Sequence, residues 1–347
     1  MKYNVILILL VGLFGYGCGN KASSSQKVFL DIYSLTVKDS IQLESLGILN
    51  PHYIYYKNDF LIFNSLQGER EIQLLDLKFN RVTEFKVIGQ GKNEMQNYHT
   101  VNNQTEKVYM FADNRQRKIY GIHLDSLRNH PKTNYELLFS LPNVEDRHFY
   151  RFLDIQDGIM GIGLLKDGRF GIYKKENNVY TEQMAYPENE EISRLGDMHK
   201  GILYSKTIME SDMSGKNVVA ACFGLIDFYS ISEKGELKLK KSHHNHFPMF
   251  EARTSGTAIS YKKEDKIGIT GLCADNNYVY VLYSDKTFEE QGMDAYNASS
   301  ILVYDWNGLP VKQYNLSVPL YSFTVANKLI YGLSRKRNPM VYIMPLN

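Results

Sequence analysis

Three histidines at nearly equal intervals are the side chains of this 347-residue sequence best placed for chemistry. His52, His99 and His148 lie 47 and 49 residues apart, each just at the start of a predicted strand. Imidazole exchanges a proton near neutral pH and is a common metal ligand, so converging rings would suit proton transfer or metal binding. Alternatively, strand entrances are polar anyway and the three histidines share no role. We predict a ligand site here, with no resident metal and no cofactor.

Cationic and aromatic side chains flank these histidines and extend the candidate site. Two arginines stand on either side of the third histidine, and tyrosines beside the second and third add aromatic faces. The predicted binding residues are His52, His99, His148, Arg147, Arg151, Tyr98 and Tyr150. We assign no catalytic residue.

Other patterns that resemble chemical motifs carry less weight. In the segment His243–His246, adjacent residues of an extended chain point to opposite faces, so only His244 and His246 share a face, and we expect a solvated loop. The Gly89–Gly91 segment is followed by a strand-like segment, whereas a phosphate-binding loop needs a helix there. The chain lacks the Gly-x-Ser-x-Gly elbow of a serine nucleophile. Its net charge of +2, with dispersed basic residues, argues against nucleic-acid binding.

The elements that must position these residues form a repeated unit of short apolar strands separated by polar turns. The second strands of the units are predicted to begin near Phe60, Val108, Ile159, Ile202, Val279 and Leu329. Most intervals between these starts fall in the range of four-stranded propeller blades. Turn residues such as Asn58-Asp59 and Asn307-Gly308 lie between the strands and tolerate the positive φ of tight hairpins. The sequence therefore predicts an all-β, six-bladed β-propeller.

Two features of the repeat leave alternatives open. The interval after Ile202 is long, so a seven-bladed ring is the alternative; we assign the extra length to a hairpin at Met209–Lys216 and an insertion at Ser242–Asp265. The sixth unit lacks a fourth strand of its own. Either Val28–Leu35 or Ile41–Leu43 is expected to supply it and to close the ring.

The segment that links the first two units resembles a known family motif. Val87–Met95 is similar to the Gly-x-Gly-x-x-Glu-Phe link of six-bladed propeller lipoproteins from Bacteroidetes, with Met95 in place of Phe and Lys92-Asn93 in place of Pro-Gly. Ile119–Leu124 and Ile301–Asp305 resemble the third strands of the same family. The resemblance is to the TolB-like propeller family. It implies the fold, and it supplies no established catalytic residues.

The N-terminus resembles a bacterial lipoprotein signal. Lys2 is followed by the apolar run Val5–Phe14 and then by Gly15-Tyr16-Gly17-Cys18, after which the cysteine would be lipidated. An ordinary cleaved signal is the alternative. We predict a signal peptide at 1–17, a flexible tether at 18–27 and one propeller domain at 28–347. The tether has no acidic run after Cys18, which favours an outer-membrane lipoprotein facing the periplasm.

The two remaining cysteines, Cys222 and Cys273, stand in apolar, strand-like surroundings. Buried free thiols are common there, although an exported protein also permits a disulfide. Taken together, the sequence predicts a monomeric, membrane-anchored, non-catalytic binding or scaffold propeller, with a protein or small-molecule ligand at the channel mouth. The alternative is a metal-dependent hydrolase or lyase that uses the propeller axis.

Overall fold

The structure is a computed structural model that describes residues 29–65, 71–86, 95, 98–103, 105–130, 134–142, 144, 147–177, 179–252, 258–335 and 338–346. Within these ranges the strands form six blades around an axis, which confirms the predicted six-bladed β-propeller and removes the seven-bladed alternative. Cys18 and the predicted signal peptide and tether lie outside the described residues, as does 87–94 of the family-like link.

Each blade is an antiparallel meander whose strands follow one another outward from the axis. Two strands precede the first blade: β1 (Ile32–Leu35) and β2 (Asp39–Gln42). Blade 1 contains β3 (Pro51–Lys57), β4 (Phe60–Ser65), β5 (Glu71–Asp76) and β6 (Arg81–Lys86). Blade 2 contains β7 (His99–Val101), β8 (Val108–Asp113), β9 (Lys118–His123) and β10 (Glu136–Ser140). Blade 3 contains β11 (His148–Ile155), β12 (Gly158–Leu164), β13 (Phe170–Lys174) and β14 (Tyr180–Gln183).

The second half of the ring follows the same plan with one added hairpin. Blade 4 contains β15 (Ile208–Ser211), β16 (Asn217–Cys222), β17 (Leu225–Ile231) and β18 (Leu237–His244). The added hairpin is β19 (Phe250–Ala252) and β20 (Ile259–Tyr261). Blade 5 contains β21 (Lys266–Ala274), β22 (Tyr278–Thr287), β23 (Ala298–Asp305) and β24 (Pro310–Leu320). Blade 6 contains β25 (Ser322–Ala326), β26 (Leu329–Ser334) and β27 (Met340–Pro345).

Short helices occupy some of the connections, so the chain is mostly β and not purely β. The α-helices of the described residues are α1 (Leu124–Asn129), α2 (Glu190–Ser193), α3 (Asp197–Leu203) and α4 (Phe288–Gln291). Single turns of 3₁₀-helix span Glu44–Leu46, Tyr204–Lys206 and Gly292–Tyr296.

The strand predicted near Ile202 is wrong, because this residue lies in α3. Asp197 in the first turn and Lys200 in the last turn complement the helix dipole, which favours a helix over the strand that the apolar run suggests. The second strand of blade 4 is β16, and the predicted hairpin at Met209–Lys216 joins it to β15. The insertion predicted from Ser242 begins within β18 and carries the β19–β20 hairpin.

The ring is closed by the N-terminal strands, as predicted. Strand β2 pairs antiparallel with β27, from Asp39 opposite Ile343 to Gln42 opposite Met340, and becomes the fourth strand of blade 6. Strand β1 pairs parallel with β24 and adds a fifth strand to blade 5. The candidate segment near Ile41 therefore completes the sixth blade, and the earlier candidate strengthens its neighbour.

Most of the core consists of apolar clusters that are each shared by two adjacent blades, and one further cluster joins blade 4 to α2, α3 and the β19–β20 hairpin. Between blades 1 and 2, for example, Phe60 packs in one cluster with Phe111. At the seam between blades 6 and 1, Leu43 packs with Leu61 and Leu333 in the same way. Because Leu43 directly follows β2, the closing strand and the seam cluster depend on each other.

We expect Leu43→Ala to lower the free energy of unfolding by about 2–5 kcal/mol, because a fully buried side chain at the seam is lost. Urea unfolding followed by circular dichroism measures the change. The matched control is Leu49→Ala in the same N-terminal segment, where the side chain is 59% exposed, and its effect should stay within about 0.5 kcal/mol. Equal losses for the two variants would contradict a closing role for Leu43.

Candidate functional site

The first strand of each blade lies at the axis of the ring. These inner strands, β3, β7, β11, β15, β21 and β25, contact one another from blade to blade. Neighbouring inner strands run in the same direction, as the parallel bridge between Asn102 and Leu153 shows for blades 2 and 3. All six therefore begin at one end of an axial channel and finish at the other. We call these ends the start mouth and the end mouth.

A cavity of about 570 Å³ opens at the end mouth, and residues from all six inner strands line it. The turns that follow the strands supply a rim of carboxylates and amides. The rim residues are Asn58, Asp59, Asn103, Glu106, Asp275, Asn276 and Asn327. Carboxylates outnumber cations at this end, so the end mouth is polar and predominantly acidic.

Two ionisable side chains in the wall of this cavity have pKa values that burial shifts. They are Lys57 of blade 1 and Glu210 of blade 4. Lys57 Nζ donates hydrogen bonds to the carbonyl oxygens of Asn103 (2.8 Å) and Thr105 (3.2 Å). Glu210 Oε1 accepts one of 2.9 Å from Asn102 Nδ2. Burial lowers the pKa of Lys57 and raises the pKa of Glu210 to about 8, because the channel wall replaces water around both groups. Glu210 is therefore largely protonated at neutral pH.

A second cavity of about 570 Å³ opens at the start mouth, beside blades 4 and 5. Its lining is basic and aromatic. The cations are Arg151, Lys206, Lys262, Lys263 and Lys266, and the rings are those of Tyr53, Phe223, Tyr261, Phe288, Tyr296 and Tyr321. Asp265 is the carboxylate in the described lining, and its Oδ2 accepts a hydrogen bond of 2.9 Å from the Met249 amide.

Arg151 connects the two cavities, since it lines both of them. The side chain is half-buried on β11, near the middle of the channel. Tyr53, Ile208 and Thr270 also line both cavities, so the two cavities adjoin along the axis at these residues.

The two cysteines are free thiols at opposite mouths, in agreement with the expectation of two separate thiols. Cys222 is buried at the start mouth, and burial raises the pKa of its thiol to about 11. Cys273 is half-buried at the end mouth, and burial raises the pKa of its thiol to about 12. Both remain protonated at neutral pH, so neither is an activated nucleophile.

The three predicted histidines do begin inner strands, but they do not line either cavity described above. Nδ1 of His52 lies 3.2 Å from Arg335 and 3.4 Å from the Tyr321 hydroxyl. Burial and, to a lesser degree, the Arg335 charge lower the pKa of His52 to about 4, so its ring is neutral at pH 7. The ring of His148 packs edge-on against Tyr150.

The remaining predicted residues are also held by their own blades. Arg147 forms ion pairs with Glu182 and with Asp167, the latter at 3.7 Å. Tyr98 is buried against Phe111 in the cluster between blades 1 and 2. Of the predicted set, Arg151 alone is among the described residues that line the two cavities.

Strand geometry explains why the histidines turn away from the channel. The ladder of β3 shifts register at His52, between Pro51 and Tyr53, and the ladder of β11 shifts two residues after His148, between Phe149 and Arg151. Such bulges break the alternation that would relate a histidine to the channel-facing residues after it. In β7, Thr100 lines the end-mouth cavity, so the preceding His99 points to the opposite side.

The sequence argument missed most residues of the channel wall. Lys57 and Glu210 each stand directly before a polar turn, at Asn58-Asp59 and Ser211-Asp212, so the sequence does not distinguish them from ordinary charges beside a turn. The lysines of Lys262–Lys266 alternate with Glu264 and Asp265 and lie at the end of the predicted insertion. In the structure they border the start mouth.

The histidine cluster at His243–His246 is split between different partners and does not form one site. His243 Nε2 lies 2.6 Å from the Gly308 carbonyl, and His244 Nε2 lies 2.9 Å from Asp227 Oδ1. In the part of the chain that the structure describes, His, Cys, Asp and Glu side chains form no group of three that could hold a metal ion. Among the same residues, no helix is both long and apolar enough to cross a membrane.

Comparison with known proteins identifies the fold. Residues 31–328 match the profile of the family described as TolB-like 6-blade propeller-like. A DUF4221 family member from Bacteroides vulgatus is structurally similar, with a TM-score of 0.56 and 10% identity over 90% of this chain and 97% of that one. The β-propeller domain of Cps50 (Swd1) from Myceliophteria thermophila gives 0.43 and 10% identity, over 90% of this chain and 100% of that one. Raptor from Chaetomium thermophilum gives 0.45 and 12% identity, over 90% of this chain and 28% of that one. Identities this low show the fold alone, and no curated protein matches the chain.

We expect Glu210→Gln to change the pH dependence of stability. The pKa of Glu210 is about 8 in the folded protein against 4.5 ordinarily, so the folded state binds more protons between these values. The stability that Glu210 contributes is therefore present below pH 4.5 and lost as the pH rises through 8. Gln keeps the acceptor for Asn102 without titrating, so the variant should become progressively more stable than the wild type across this window.

Urea unfolding at pH values from about 5 to 9 measures this difference, covering the interval between the two pKa values. Glu236→Gln, at an exposed position on the same blade, is the matched control and should follow the wild-type profile. A Glu210→Gln profile parallel to the wild type would show that the carboxyl is not perturbed in the channel.

Proposed function

We propose, since the chain belongs to the TolB-like six-bladed propeller family, that it is a non-catalytic binding propeller whose ligand is a small molecule held in the axial channel. The observation that carries this proposal is the pair of adjoining cavities along the axis, each of about 570 Å³, of which the one at the end mouth is lined by all six inner strands. Small-molecule sites are typically concave, about 300–1,000 Å³ in volume, and lined by apolar and aromatic groups with a few polar ones. The start mouth has this character.

The proposal also places the protein in the cell envelope, as an outer-membrane lipoprotein that faces the periplasm and acts as a monomer. Support comes from the lipoprotein-like sequence that ends at Cys18 and from the polar stretch at 19–27. The described fold begins with β1 at Ile32, beside blade 5.

The alternative is a metal-dependent hydrolase or lyase that uses the propeller axis. One observation favours acid–base chemistry there: Glu210, whose pKa of about 8 lies near the working range of general acids. Under this alternative, Glu210→Gln would lower turnover of a bound substrate by about a hundredfold or more. Under the binding proposal, Glu210→Gln leaves a bound ligand chemically unchanged, as the wild type does, when the mixture is examined by mass spectrometry.

We expect Cys18→Ser to release the full chain from the membrane fraction, because a serine at this position cannot be lipidated. Fractionation of cells that produce each form, with immunoblotting, measures the distribution. Cys222→Ser is the matched control, since its thiol is buried in blade 4 and is remote in sequence from the signal. A Cys18→Ser protein that remains in the membrane fraction would overturn the lipid-anchor proposal.

We expect Thr270→Trp to abolish small-molecule binding, because this half-buried residue lines both cavities and an indole there would block the channel. The uncharged fluorescent probe phenylnaphthylamine should bind the wild type saturably at one site, and the variant should lose at least tenfold in affinity. Thr83→Trp, on the outermost strand of blade 1, adds the same ring away from the channel and should bind like the wild type. Absence of saturable binding by the wild type would overturn the small-molecule proposal.

A further inference from the structure

The start mouth gathers more positive charge than its own carboxylates neutralise. Four lysines and Arg151 line the cavity, against the single carboxylate of Asp265 in the described lining. Asp265 is itself used by the fold, because it accepts the hydrogen bond from the Met249 amide. Like charges collected around one cavity give it a positive potential, which attracts an anion.

The cations of this cavity have no anionic partner among the residues that the structure describes. Among the described residues, none of the lysines at 206, 262, 263 and 266 forms an ion pair with a carboxylate. Arg151 likewise has no carboxylate partner among them, although it is half-buried inside the channel. Its guanidinium nitrogens are not among the buried side-chain atoms that lack a hydrogen-bond partner, so they face the open cavity and can donate to a carboxylate or phosphate that enters it. Its missing partner points to a ligand.

The aromatic rings beside these cations suit the rest of such a ligand. Lys206 Nζ lies 4.1 Å from the centre of the Tyr261 ring, and burial lowers the pKa of this lysine. Tyr321, Tyr296 and Phe288 bring further ring surface to the same cavity. Aromatic faces bind planar apolar groups through stacking and edge contacts. The cavity therefore combines an anion-binding part with an apolar part.

The two mouths of the channel differ in charge, which gives the ligand an orientation. The end mouth has carboxylates on its rim, at Asp59, Glu106 and Asp275, and would repel an anion. The start mouth attracts one, and Arg151 lies where the two cavities meet. An anionic group would therefore enter from the start mouth and stop at Arg151.

We propose that the start-mouth cavity binds a small organic anion, in which a carboxylate, sulfonate or phosphate group pairs with Arg151 and the lysines while an aromatic or other flat apolar body packs on the tyrosines. This inference rests on the proposed small-molecule function of the channel and specifies its ligand class. Lys262, Lys263 and Lys266 steer the anion at the rim, and Arg151 fixes its charged end by a two-pronged hydrogen bond.

Two fluorescent probes of similar shape and different charge test the proposal: anilinonaphthalene sulfonate, which is an anion, and phenylnaphthylamine, which is neutral. The wild-type protein should bind the sulfonate at least tenfold more tightly than the neutral probe. Arg151→Met should weaken sulfonate binding about tenfold or more and leave the neutral probe nearly unchanged, since a charge-assisted hydrogen bond is lost and the side-chain length is kept. Retained binding of the neutral probe also shows that the variant is folded.

Two double variants distinguish the effect of positive charge at the start mouth from the effect of positive charge elsewhere on the surface. Lys263→Gln with Lys266→Gln removes two positive charges at the start mouth, and sulfonate affinity should fall several-fold. Lys238→Gln with Lys241→Gln removes two exposed charges from the outermost strand of blade 4, and sulfonate affinity should stay unchanged. Added salt should weaken sulfonate binding and not that of the neutral probe, because screening acts on charges.

The outcomes distinguish the ligand class from the general function. Equal binding of the two probes, or equal loss of sulfonate binding in the two double variants, would overturn the anion assignment while the small-molecule function stands. If neither probe binds the wild type saturably, the proposed function fails and the anion assignment fails with it. Selective loss of the sulfonate in Arg151→Met and in the mouth variant supports both.

Discussion

The ring depends on covering the apolar faces of its blades. Each blade has two such faces, and every pair of neighbouring blades shares an apolar cluster, so no blade can bury its side chains alone. In an open array, the first and the last blade would each expose one apolar face to water. The pairing of β2 with β27 removes that problem, because it completes blade 6 and brings Leu43 into the seam cluster with blade 1. The parallel pairing of β1 with β24 adds a second connection on the blade before it.

Closure also determines what the protein offers to a ligand. Six inner strands that run in one direction leave a channel with two chemically different ends. The turns after the strands bring amides and carboxylates to one mouth. At the other mouth, the segment at 259–269 and the 3₁₀ turns near Lys206 and Tyr296 bring lysines and rings. The repeat therefore supplies the channel, and what differs between the blades supplies its chemistry.

The fold was largely predictable because its signals are local. Asn58 and Asp59 adopt φ values of 48° and 62°, as the tight turn between two apolar runs requires, and the third strands lie where apolar runs predicted them. The strand predicted at Ile202 was wrong because a short apolar run fits a helix as well as a strand, and the surrounding charges favour the helix.

The candidate site was predictable only in part, because it depends on register and on contacts distant in sequence. Equal spacing correctly placed His52, His99 and His148 at the starts of inner strands. Their direction depends on bulges and on strand alternation, which the spacing does not reveal. Lys57 and Glu210 come together in one cavity only after the ring has closed. Arg151 belongs to the predicted site because it is close to His148 in sequence. In the structure it is important because it lies between the two cavities.

Arg169 and Arg151 differ in whether the fold pairs their charge with a carboxylate. Arg169 is fully buried, and its Nη1 donates to Asp227 Oδ2 at 2.6 Å and to the Tyr229 hydroxyl at 3.2 Å, with the guanidinium over the Phe170 ring. The Asp227 carboxylate compensates the buried charge, while Nε and Nη2 of Arg169 have no hydrogen-bond partner among the described residues. Arg151 is withdrawn into the channel without such a partner among the described residues. Its nitrogens are not buried, so the guanidinium is open to the channel and available to a ligand. A bound anion would therefore supply the partner for the charge of Arg151 that the described part of the protein does not supply.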